Sequence, residues 1–119
     1  MSLSSAAATA AVSVLIADSS RMQAQLLTSA LRRRPEFEIA TCPMDAVSIL
    51  QAVTSRPPQV AVLSVGPAAG ISETVMTLRR FHLAYPAIPK ILLAEFPDRK
   101  LVASAFRSGA RGIFSIADS

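Results

Sequence analysis

Hydrophobic positions along this chain switch repeatedly between short apolar or alternating runs and spacings of three and four residues. Val12 to Ala17 is an apolar run that ends at Asp18, the pattern of a buried strand. Ser19 or Ser20 suits the cap of a following helix whose apolar stripe is Met22, Leu26, Leu27, Ala30 and Leu31. Pro35 stops that helix, and Phe37 to Thr41 alternates as a shorter strand nearer an edge. Pro43 suits the first position of a second helix, with Ala46, Ile49, Leu50 and Val53 as its buried stripe.

Gln59 to Val65 predicts the central strand. Val60, Val62, Leu63 and Val65 make it apolar on both faces, as expected where helices cover both sides of a sheet. Pro57-Pro58 and Gly66-Pro67 punctuate its two ends. A third helix carries Ile71, Val75, Leu78 and Phe81, and Lys90 to Ala94 reads as a fourth strand. Pro97-Asp98 opens a fourth helix with Leu101, Val102, Ala105 and Phe106 on one side. Gly109 fits the end of that helix, and Arg111 to Ile116 is the fifth strand. Strict alternation of strands and helices implies parallel pairing through right-handed crossovers, hence an α/β, doubly wound sheet. In such sheets ligands gather beyond the carboxyl ends of central strands, where strand order reverses. Ser64 stands at that place.

Composition narrows the reading. A chain of 119 residues, 51% hydrophobic, is long enough for one core and too short for two. The expected division is a flexible tail at 1–11, rich in small residues, and a single domain at 12–119. The lone Cys42 has no disulfide partner and reads as a small half-buried side chain. The lone His82 has no second His or Cys to share a metal and reads as lying on the exposed side of a helix. No run approaches the ~18 apolar residues of a membrane span, and the start lacks a signal-peptide pattern, so the expected location is cytoplasmic. The net charge is +4, densest at Arg32, Arg33 and Arg34. Three cations closing a helix complement its dipole, and few aromatics accompany them, so direct nucleic-acid binding by this domain is not expected.

Several pieces together carry a family likeness: Val-Leu-Ile-Ala-Asp at 14–18, the helix with Leu26-Leu27, the central strand, the fourth strand after Ile88-Pro89, and Ser-Gly-Ala-Arg-Gly at 108–112. In this order they resemble the receiver domain of two-component response regulators, most of all receivers that precede a LuxR-type helix-turn-helix. The resemblance implies a flavodoxin-like, five-stranded parallel sheet in strand order 2-1-3-4-5. It also implies a fifth helix, of which this sequence, stopping at Ser119, leaves no room for more than the start. Receivers move a phosphoryl group from a histidine kinase to an aspartate with the help of magnesium. They use an acidic pair after strand one, the acceptor aspartate after strand three, a hydroxyl after strand four and a lysine after strand five.

Matched position by position, this sequence keeps Asp18 and has Ser19 for the second acid, Ser64 for the acceptor, Ala94 for the hydroxyl and Ile116 for the lysine. The switch aromatic of strand five falls at Ile113. No Asp or Glu occurs from Ala46 to Ser72 and no Lys after Lys100, so a shifted register restores neither group. The loop after Ser64 reads as shortened, with Pro67 one place early. A lone carboxylate is a poor magnesium site, and a serine without a base is a weak nucleophile. The expectation is therefore a degenerate receiver, not an enzyme, without a bound magnesium cofactor. It would act as a protein-interaction or dimerisation module of a transcription regulator, with an output helix-turn-helix beyond this chain. The expected interaction face is helix four and strand five, with Arg99, Lys100, Phe106 and Arg107. The alternative is a sensor for a small apolar ligand in the former phosphorylation pocket, which Ala94 and Ile116 would make apolar.

Overall fold

The computed structural model describes residues 11–19, 21–66, 69–95 and 97–115, with residues 21–24 described by backbone alone. Five strands alternate with four helices: β1 (Val12–Asp18), α1 (Arg21–Arg32), β2 (Phe37–Pro43), α2 (Ala46–Ser55), β3 (Val60–Val65), α3 (Ile71–Ala84), β4 (Lys90–Ala94), α4 (Arg99–Arg107) and β5 (Ala110–Ser115). All pairings are parallel and the sheet runs β2-β1-β3-β4-β5, the doubly wound order expected. Strand order reverses between β1 and β3, which places Asp18 directly beside Ser64.

Parity along the strands assigns the faces. Leu15, Ala17, Ala61, Leu63, Leu92 and Ala94 meet Ile49 and Val53 of α2, Leu78 and Phe81 of α3, and Leu101 and Ala105 of α4 in one buried core. The opposite face is covered less evenly. Ile16 of β1 is fully buried, its neighbours Val62 and Ile91 are half-buried, and Phe114 of β5 is 57% exposed. Sequence reasoning expected β3 to be equally covered on both sides. It is not, because among the described residues α1 packs mainly against β1 and β2, at one edge of that face.

The same geometry corrects the predicted stripe of α1. Leu26 is 70% exposed and Ala30 is exposed, whereas Thr28 is buried and Leu27 and Leu31 are half-buried. The inward stripe thus lies one step round the helix from the one read off the sequence; Met22 lies among the residues whose side chains are not described. Ile71 and Phe106, read as core, are also exposed, at 38% and 50%. Pro43 closes β2 instead of opening α2, whose N-cap is Asp45, accepting from Ser48 N at 2.8 Å. Asp98 caps α4 in the same way, accepting from Leu101 N at 2.8 Å. Gly109 follows the α4 cap at φ +121°, a conformation suited to glycine, and a methyl group there would overlap the His82 ring. Between β4 and β5 the register slips after Lys90, so that Arg111 is passed over and Gly112 lies opposite Ile91.

Candidate functional site

At the carboxyl edge of the sheet, Asp18 and Ser64 form one row with Leu93 and Phe114. Both are buried, Asp18 at 8% exposure and Ser64 at 2%. Ser19 ties the two loops that leave this row. Its backbone N–H donates to Ser64 O at 3.1 Å, and its hydroxyl accepts from Gly66 N at 2.9 Å while lying 3.4 Å from Ser64 O. The side chain expected as a helix cap, or as the relic of a second acid, is a clamp between the β1 and β3 loops. A carboxylate at this position would accept from Gly66 N as well, but could not donate to Ser64 O.

Ala94 is displaced by one row: it pairs with Val65 and Ser115, not with Ser64, and faces the core side. Ile113 is half-buried on the row of Ala17, Leu63 and Leu92, packed against the same core. Ile116 lies outside the described residues, as do Pro67 and the segment 1–10 of the tail. The structure thus gathers Asp18, Ser19 and Ser64, while Arg99, Lys100, Phe106 and Arg107 lie exposed on α4. Among the described residues, no three His, Cys, Asp or Glu side chains converge as a metal-ligand set. Asp18 is the carboxylate of this row, whereas the octahedral shell of magnesium is normally anchored by more than one anionic oxygen.

Next to Ala94 the edge opens into a cavity of about 390 Å³ between the first turns of α3 and α4. Val65, Ile71, Ala94 and Leu101 supply apolar walls, and Glu95 and Asp98 supply carboxylates. Cys42, nearer β1, is no candidate nucleophile: burial, then the negative charge of Asp45, pushes its thiol up to about 11. Asp45 itself is held below the usual carboxylate range by the backbone N–H and then the hydroxyl of Ser48.

A second polar centre, at the opposite end of the sheet, escaped sequence reasoning. Lys90 is 1% exposed. Its ammonium donates to the carbonyl of Tyr85, lies 3.1 Å from His82 Nδ1, and sits 4.9 Å from the centroid of the Phe81 ring. Ala61 and Ala110 flank it in the sheet and leave room for its stem. Burial, then the charge of Arg111, pushes Lys90 down to about 8. The signal was present in the parity of β4: if Leu92 and Ala94 point into the core, so must residue 90. His82, expected on an exposed helix surface, is half-buried as the partner of this lysine.

Neither a protein-family model nor a curated protein sequence matches this chain. Solved structures do. The signal receiver domain of an HD domain-containing protein from Pseudomonas fluorescens Pf-5 superposes with a TM-score of 0.75 at 27% identity, over 90% of this chain and 83% of that one. The fold is that of a response-regulator receiver domain. NtrX from Brucella abortus shares this receiver fold with a TM-score of 0.76 at 22% identity, over 89% of this chain and 23% of that one. A LuxR-family two-component response regulator from Aurantimonas sp. SI85-9A1 does so with a TM-score of 0.71 at 16% identity, over 87% and 72%. The chain thus spans about a quarter of NtrX. Among the described residues, no helix is long and apolar enough to cross a membrane.

Proposed function

We propose that this chain is a receiver-fold regulatory module that takes no phosphoryl group and signals through protein contacts. The observation that carries the reading is Ser64: at the acceptor position stands a buried hydroxyl in place of a carboxylate. An acyl phosphate needs a carboxylate oxygen, and a serine ester needs a base to take the hydroxyl proton. Ser19, engaged with Ser64 O and Gly66 N, supplies no anionic oxygen to join Asp18 around magnesium. The contact surface is the α4–β5 face, where Phe106 of α4 is 50% exposed and Arg99, Lys100 and Arg107 of the same helix are exposed with it. It serves a protein partner or a second copy. By likeness to the LuxR-family neighbour, the module is the regulatory part of a transcription regulator whose DNA-binding domain lies elsewhere in the protein.

The test is intact mass after incubation with magnesium and acetyl phosphate, with Ser64→Ala in parallel. No added phosphoryl mass is expected in either protein. A stoichiometric gain that disappears in Ser64→Ala would sink the reading.

The cavity of about 390 Å³ beside Ala94 supports a second reading, a sensor for a small apolar ligand. A thermal-shift panel of such ligands separates the two: a flat response favours the interaction module, and a raised Tm lost on Ala94→Leu favours the sensor.

A further inference from the structure

Away from the row of Asp18 and Ser64, α3 and α4 leave a groove of about 490 Å³ lined by Val75, Arg79, His82, Leu83, Ser104 and Arg107. Its charge is one-sided. Its lining holds Arg79, His82 and Arg107 and no carboxylate. The ion pair found among the described residues joins Arg56 to Glu38, far along the chain from this groove, so no carboxylate of the described residues pairs with Arg79 or Arg107. His82 forms part of the wall with Lys90 directly behind it, which adds a cation to the field.

The face of α3 beside the groove also offers apolar surface. Met76 is 58% exposed and Leu83 72% exposed, seven residues apart on α3, so they stand on one face of the helix with Arg79 and Arg80 between them. Cations framed by apolar rungs at helical spacing suit a ligand with carboxylates and apolar side chains in the same register. A nucleic-acid backbone would satisfy the arginines but leave Met76 and Leu83 against sugar and phosphate.

We propose that the α3–α4 groove is a docking site for an acidic amphipathic helix of a partner protein, its carboxylates on Arg79 and Arg107 and its apolar residues on Met76, Val75 and Leu83. The proposal deepens the interaction-module reading and rests on it for the premise that the domain works by protein contact. It adds a second surface, which shares Arg107 with the α4–β5 face, and names the partner's chemistry.

The probe is a synthetic peptide of about four helical turns with leucines at helical spacing and glutamates elsewhere, titrated into the isotope-labelled full chain by two-dimensional NMR. Saturable shifts confined to residues 75–83 and 104–108 are expected. Affinity should fall at least about tenfold in the exposed-site variant Arg79→Glu/Arg107→Glu, and also in Leu83→Ser. A peptide with lysine for every glutamate should cause no shifts. Absent or scattered shifts, or shifts indifferent to the double variant, would overturn the proposal. So would equal perturbation by a DNA duplex, which would mark a nucleic-acid surface, or full competition by inorganic phosphate, which would mark a simple anion site. These failures leave the phosphoryl-mass result untouched, so the two readings fall separately.

Discussion

Lys90 shows how one side chain can set a property that its neighbours in sequence do not announce. Its folded pKa, about 8, lies below the ordinary value of 10.5. Between these values the unfolded chain binds more protons than the folded one, so stability from this group rises with pH and is lost as pH falls through about 8. Cys42 acts in the opposite sense above its ordinary 9.0, because its folded thiol is pushed up to about 11 and holds its proton longer than the unfolded one. The prediction is therefore a difference measurement. In a Cys42→Ala background, denaturant midpoints should rise from pH 8 towards pH 10, and Lys90→Met should flatten that rise. An unchanged slope in Lys90→Met would mean that the lysine reaches water in the folded state.

At the scale of elements, the termini of α4 were the best-read features. Asp98 and Gly109 were placed from local rules, since a side-chain acceptor at an N-cap and a glycine after a C-terminus act within one turn of backbone. Asp98→Ala should cost about 1 kcal/mol through loss of the bond from Leu101 N, read from the urea midpoint. Gly109→Ala should cost more, about 1–3 kcal/mol, because φ +121° strains any side chain and the added methyl presses on His82. Equal costs would mean that the loop relaxes freely. The apolar stripe of α1 was read less well: a helix period defines a stripe's width, but not which edge of it the sheet will cover.

At the scale of the whole molecule, the described residues form a sheet whose one face packs on α2, α3 and α4, while α1 covers the other mainly at the β1–β2 edge. Exposure along the row Asp18, Ser64, Leu93 and Phe114 rises from 8% and 2% at the first two to 57% at Phe114. Among the described residues, Phe114 is thus a large apolar side chain of β5 left open. Phe114→Ser should reduce binding of an apolar dye and any self-association, while shifting folding stability by no more than about 0.5 kcal/mol. A loss on the scale of a core truncation, about 3–5 kcal/mol, would instead show that Phe114 is packed in solution.

From its sequence alone, this protein is an alternating parallel α/β sheet with a serine where the receiver likeness expects a reactive aspartate. Both are local matters: periodicity follows from backbone geometry, and the identity of residue 64 does not depend on folding. The tertiary structure decided the rest. It made Ser19 a clamp between two loops, moved Ala94 a row away from Ser64, and buried Lys90 against His82. It left Leu26 in water and opened the groove between α3 and α4. Each of these depends on which distant elements meet, and at what register. A hydrophobic pattern carries the period of a helix or strand, but not the angle at which it is finally covered.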